Sequence, residues 1–233
     1  MTDRALEGVR VIEFTDEIGS YCGRLLGDLG AEVIKVEPPG GGRERHVGPF
    51  ITGFEGEPDA SLAFWVHNTS KKSVVLDLDL PGAQETARKL ALSADIVLED
   101  HPVGYLSARG LGYEQLRSQK PSLVYTSVTG FGQTGPHAGW AYADIVGQAM
   151  GGLMHVNGDA EHGPVRITAP QSHAQGNLQA AVGAMIALFA RGGNGGVGQH
   201  VDVSMQEAVA NALDNTQQTW DIRGVNPSGP GIY

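Results

Sequence analysis

Residues 6–37, LEGVRVIEFTDEIGSYCGRLLGDLGAEVIKVE, spell a strand, a helix and a second strand within about thirty residues. Val9, Val11 and Phe14 mark residues 6–15 as a short strand, residues 16–19 as a loop, 21–29 as a helix closed by Gly30, and 31–37 as the next strand. Strand, helix and strand in this span are a βαβ unit, which implies a parallel sheet and an α/β class. Glu37 ends the second strand where a dinucleotide fold keeps its ribose ligand, but the Gly-x-Gly-x-x-Gly turn is missing. Gly19, Gly23 and Gly27 stand four apart instead. Both a nucleotide ligand and a plain end-of-strand carboxylate stay open for Glu37, with the missing fingerprint favouring the second.

Strands and helices keep alternating further on. Residues 38–58 are a Pro/Gly-rich surface loop, 60–67 a short helix, 73–78 a strand, 81–92 a helix with proline in its first turn, and 95–99 a strand. A helix at 113–119, a strand at 123–128 and a helix at 145–154 follow. Residues 165–205 hold a polar segment at 171–175 and then an apolar helix. In that helix Leu178, Val182, Met185, Ile186 and Phe189 recur at helical spacing, which predicts a buried element. It ends at Gly192-Gly193 and leads to the alternating strand 200–204. A helix at 206–220 and the polar tail GVNPSGPGIY complete the chain. The domain reading is therefore one large unit over 1–220, with 221–233 a linker or truncated tail.

With 16 Lys and Arg against 26 Asp and Glu, the formal charge is −10 and no basic stripe is visible. That argues against nucleic acid, whose phosphates need clustered cations. No run approaches the ~20 apolar residues of a membrane helix. The single cysteine, Cys22, allows no intrachain disulfide, and MTDRALEGVR shows no signal-peptide pattern, so a reducing cytoplasm is the expected address. There is no Gly-x-Ser-x-Gly elbow, no Gly-Lys-Ser/Thr loop, and no histidine spacing typical of zinc, so no metal is expected.

The segments LEGVRVIEFT, LGAEVIKVEPPGGG, NTSKKSVVLDL, ADIVLE, GLGYEQL, TSVTGFGQTGP and GVGQHVDVSM occur in one order from Leu6 to Ala212. In this the chain resembles the class III CoA-transferases, a family that also contains acyl-CoA racemases. The resemblance implies a Rossmann-like large domain with a parallel sheet flanked by helices, and coenzyme A or an acyl-CoA plus a carboxylic acid as ligands. It also implies an interlocked dimer, as a homodimer or a heteromer with a related chain. Family members are longer and have a smaller second domain, so the resemblance implies that this sequence corresponds to the large domain without the small one.

Family members attack the acyl-CoA thioester with an aspartate just before the long helix. Counting back from Arg191, that position falls on His173, or on Ser172 with one residue of slack; no Asp or Glu occurs from Val165 to Arg191. His173 could form an acyl-imidazole or act as a base at neutral pH. The racemases' His-Asp pair is matched by Ala143 and Asp144, which leaves Asp144 as an acid/base candidate. For CoA the resemblance points to Glu17, Ile18, Leu76, Asp77, Leu78, Asp79, Asp100, His101, Arg109, Thr129 and Gly130. Lys71, Lys72, Arg43 and Arg45 are candidates to offset its phosphates.

Three functions follow: a CoA-transferase with His173 or Ser172 in place of the aspartate; a non-catalytic or half-site subunit that pairs with a catalytic partner; and an acyl-CoA isomerase, racemase or lyase.

Overall fold

The computed structural model describes residues 4–158 and 163–226. In chain order β1 (Arg10–Phe14), α1 (Ser20–Asp28), β2 (Glu32–Glu37), α2 (Leu62–Asn68), β3 (Lys71–Val75), α3 (Pro81–Ser93), β4 (Ile96–Glu99), α4 (Tyr113–Arg117) and β5 (Val124–Thr129) come first. Then follow α5 (Asp144–Met150), α6 (Leu153–Val156), α7 (Gln171–Gly193), β6 (His200–Ser204), α8 (Met205–Asn211) and α9 (Asp214–Arg223). The strands form one six-stranded sheet in the order β3-β2-β1-β4-β5-β6, every neighbouring pair parallel. This is the doubly wound Rossmann-type arrangement, whose strand order reverses between β1 and β4.

Alternation along β1 divides the core. Val11 packs with α1 and α7 on one face, together with Leu26, Val33, Ile96, Ala180 and Ala184. Ile12 and Phe14 pack on the other with Ala87, Ala91, Leu116 and Tyr125, from α3, α4 and β5. Glu13, two residues from Val11, therefore points into the first face, under α1. There Lys35 and Lys71 reach its Oε1 at 3.1 and 2.8 Å. Lys35 also donates to Thr15 and Ser20, and Lys71 to the Ser20 carbonyl and Asn68. The four-residue glycine spacing now has a cause: a Cβ on Gly23 would collide with the Glu13 carboxylate.

The long helix departs from the sequence expectation in two ways. Residues 171–175 form its first turn rather than a separate loop. And its buried side is the small one, Ser172, Gly176, Asn177, Ala180, Ala181, Ala184 and Ala187, while Leu178, Val182, Ile186 and Phe189 face outward, Phe189 88% exposed. Small residues let the helix lie close on β5, β6 and α1, and the large apolar residues are left without a covering element among those described. Periodicity reports an apolar stripe; it does not say whether the smaller opposite face packs better.

Smaller differences are local. The helix expected over 145–154 is broken at Gly151 and Gly152, the latter with φ of 90°. The one expected over 206–220 divides into α8 and α9, and α9 runs on to Arg223, past the boundary set at 220. The end of the tail, residues 227–233, lies outside the described residues.

Candidate active site at the strand-order reversal

In an open parallel sheet, ligands bind beyond the carboxyl ends of the strands where the order reverses. Here that crevice lies after β1 and β4, so its walls are residues 16–19 on one side and Asp100 and His101 on the other. The Asp100 carboxylate accepts the backbone N–H groups of Asp16, Ile18 and Gly19, at 2.7 to 3.1 Å. These amides are the ones a dinucleotide's diphosphate would need, and they already hold a carboxylate. Glu37 is likewise engaged: it accepts from Arg45 through both oxygens, from Gly42 N–H and from Ser73. Burial pushes its carboxyl up, but those donors outweigh it and hold it at about 2. Glu37 is an anchor for the loop after β2, the plainer of its two readings.

The first turn of α7 closes the crevice. Asn177 fixes it there: its amide donates to the carbonyls of Ile18 and His173, and its Oδ1 accepts from Cys22 N–H at 2.8 Å. Nothing in the sequence marked Asn177, because a single buried amide has no periodic signature.

Ser172 and His173, neighbours in that turn, have different surroundings. Ser172 is fully buried, and both its N–H and its hydroxyl donate to Asp144 Oδ1, at 2.9 and 2.8 Å. The other oxygen of Asp144 accepts from Gln148 at 2.6 Å, with Arg166 Nε at 3.8 Å. Ser172 and Asp144 thus satisfy each other and fix the start of α7 on α5. His173 Nε2 is buried and has no hydrogen-bond partner among the described residues. Burial lowers its pKa, against the opposing pull of Asp144, Glu17 and Asp100, so the imidazole is neutral at pH 7. Its ring stacks beside Tyr142 at 6.3 Å, and a Cβ on Gly130 would collide with that tyrosine. The Tyr142 hydroxyl is also buried without a partner, and burial pushes it up to about 12.

The remaining CoA candidates separate into two groups. Leu76, Leu78 and Tyr105 pack against the same buried cluster. Arg109 bonds Asp79 at 2.5 Å and lies 3.7 Å over the Tyr105 ring, whose other neighbour is His101 at 4.4 Å. Asp77 turns the chain by accepting from Asp79 N–H. Asp79, His101 and Arg109 therefore meet around Tyr105, which the sequence reading omitted. Thr129 and Gly130 lie at the end of β5 next to Tyr142. Glu17 is half exposed, with Arg43 3.9 Å away.

The lysines do not join them. Lys71, with a side chain 2% exposed, belongs to the Glu13 cluster, and Lys72 pairs with Glu32 near the amino end of β3, away from the crevice. Lys71 and Lys72 both start the strand whose far end carries residues 76–79, so the strand's own length separates them from the site. Arg45 is engaged by Glu37 and Asp59, which leaves Arg43 of the two loop arginines. Asp100 serves the loop rather than an open ligand surface. No cluster of three or more potential metal ligands occurs among the described residues, and no helix among them is long and apolar enough to cross a membrane.

Comparison with known proteins places this geometry among relatives. The family model described as CoA-transferase family III matches residues 6–231. The chain is 39% identical, over 95% of its length, to a subunit of the succinyl-CoA:(R)-benzylsuccinate CoA-transferase of Thauera aromatica, covering 54% of that protein. It is 35% identical, again over 95% of its length, to the succinate–glutarate CoA-transferase of Agrobacterium fabrum, covering 56%. A crystal structure of a CAIB/BAIF family protein from Brucella suis superposes with a TM-score of 0.91 at 33% identity, covering 98% of this chain and 60% of that one. The chain thus spans about half the length of the curated relatives it matches.

Proposed function

This chain belongs to CoA-transferase family III, and on that basis we propose that it transfers coenzyme A from an acyl-CoA to a carboxylic acid, with His173 as the acyl carrier. The observation that supports this is the unpartnered, neutral Nε2 of His173 at the crevice where the strand order reverses. Ser172 and Asp144, the other two candidates, are engaged with each other.

In this reading Nε2 attacks the thioester carbon, the C–S bond breaks, and the CoA thiolate leaves an acyl-imidazole behind. The acceptor carboxylate takes the acyl group to give a mixed anhydride and frees His173. The thiolate then attacks the acceptor's carbonyl, forming the new thioester and releasing the donor acid. CoA's adenine lies against Tyr105, His101 and the leucines of 76–78, with Arg109 and Arg43 as the cations for its phosphates.

The relatives named above act on succinate, glutarate and benzylsuccinate derivatives, all dicarboxylates. Arg166, half exposed beside Asp144, is the cation placed to hold a second carboxylate. Arg166→Gln is therefore expected to raise KM for a dicarboxylic acid about fivefold and to leave a monocarboxylic acid nearly unchanged, since a partly exposed ion pair contributes on the order of 1 kcal/mol. Steady-state kinetics with succinate and butyrate as acceptors make the comparison.

Calorimetric titration with free CoA tests the binding step without any choice of acid. Micromolar affinity is expected, weakened about tenfold by Arg109→Ala through loss of a charged hydrogen bond. No binding at millimolar CoA would leave the half-site reading, which a separate observation favours: the outward row Leu178, Val182, Ile186 and Phe189 on α7. In that reading a related or identical chain covers the row, and the CoA site is complete only in the pair.

A further inference from the structure

The sheet face that carries Ile12, Phe14 and Tyr125 holds a cavity of about 360 Å³, at the lower end of the range for small-molecule pockets. Glu99, Tyr113, Glu114, Tyr125, Gln133 and His200 contribute to its wall, and none of the residues assigned above to CoA or acyl transfer does. Parallel register builds it: Glu99 stands opposite Ser127, and Tyr125 opposite His200. The Ser127 hydroxyl donates to Glu99 Oε1 at 2.7 Å and lies 2.9 Å from His200 Nε2. His200 stacks on Tyr113 at 4.8 Å and meets Tyr125 edge-on at 5.5 Å.

Two polar groups in this wall lack partners. Glu99 is 6% exposed, and its Oε2 makes no hydrogen bond among the described residues. Gln133 Nε2 is buried and also unpartnered. Glu99 Oε2 is open to the cavity and free to accept from a donor there, and the unmatched buried amide N–H of Gln133 calls for an acceptor. Among the described residues no lysine or arginine lines the cavity, although Arg117 Nη1 lies 3.9 Å from Glu114 in its wall. The nearby guanidinium of Arg117 approaches the Tyr113 ring at 5.6 Å without joining the wall. Burial keeps His200 neutral.

We propose that this cavity binds a small amine that also carries a hydroxyl or carbonyl oxygen, with the ammonium on Glu99 Oε2, the oxygen on Gln133 Nε2 and its apolar part against the tyrosine rings. A ligand carboxylate is disfavoured beside Glu99, which would repel it; Glu114 in the same wall is exposed and paired with Arg117 at 3.9 Å and adds little. The site would therefore separate an amino alcohol from the corresponding amino acid.

Leucinol, leucine and 4-methylpentan-1-ol differ in just these groups and serve as probes. Titration at pH 8, above the value of about 7 to which burial pushes Glu99, is expected to show saturable leucinol binding. The amino acid, which adds the carboxylate, and the alcohol, which lacks the amine, should each bind at least about tenfold more weakly. Glu99→Gln should remove leucinol binding and leave CoA binding unchanged, and Tyr113→Leu should weaken leucinol alone. Absence of saturation at millimolar leucinol, equal binding of the three probes, or undiminished binding to a folded Glu99→Gln protein would overturn the proposal.

Discussion

Replacing Glu13 by glutamine will destabilise the protein by about 3–5 kcal/mol, a large part of the 5–15 kcal/mol that holds a typical domain folded. Glu13 is completely buried and is shared by the ammonium groups of Lys35 and Lys71. Burial alone would push its carboxyl up, but Lys71 and Lys35 outweigh burial and hold it below the usual carboxylate value. Burial likewise pulls Lys35 down, yet Glu13, with Glu44 and Asp100, raises it. For Lys71 burial wins and the ammonium is weakened.

Without the carboxylate, two cations face each other under α1, and at least one must lose its proton to stay buried. The depressed Glu13 carboxyl also fixes the sign of the pH effect. Its contribution is present above the unfolded value near 4.5 and is lost as pH falls through the lower folded value. Urea unfolding at pH 7 and pH 4 measures both. Replacing Glu13, Lys35 and Lys71 together by methionine is expected to recover most of the loss, because removing a whole buried ion cluster is far less harmful than removing one member. A Glu13→Gln protein as stable as the parent would show that the cluster is not charged as described.

Changing His173 to alanine is expected to lower kcat for CoA transfer by about 100-fold or more, the scale of removing a group that takes part in the transition state. Ser172→Ala should act differently. Its hydroxyl fixes α7 on Asp144, so its loss should cost stability of about 1 kcal/mol and only a few-fold in rate. His173→Asp should retain activity above the alanine variant, since a carboxylate can also carry the acyl group. The pH profile separates the roles: burial lowers the His173 pKa, so the acidic limb should lie below the ordinary imidazole value and vanish in His173→Asp. A larger loss of kcat from Ser172→Ala than from His173→Ala would mean that Ser172, not His173, carries the chemistry.

Residues 6–37 announced the βαβ unit, the parallel sheet and the class, because alternation and glycine turns are local signals that the chain obeys. Residues 17, 18, 76–79, 101 and 109 were named by the family resemblance rather than by any local pattern, and of these Asp79, His101 and Arg109 meet around Tyr105. What stayed hidden depended on contacts between distant segments. Lys71 looks like a solvent-exposed cation until β1 supplies Glu13 beneath it. The side of α7 that packs is set by its small residues, which the hydrophobic rule discounts, and so its buried face was misjudged. Asp100 looked like a ligand contact, yet it holds the loop after β1. Tyr105 and Asn177 gave no sequence signal because each matters only through neighbours far along the chain.

The acylated form of His173 tests the central claim most directly. The protein is mixed with succinyl-CoA in the absence of acceptor acid, quenched, digested and examined by mass spectrometry. The account predicts one succinyl group on the peptide that carries His173, released by hydroxylamine and missing in His173→Ala. A stable adduct on Ser172 or Asp144, or CoA transfer proceeding at the parent rate in His173→Ala, would contradict it.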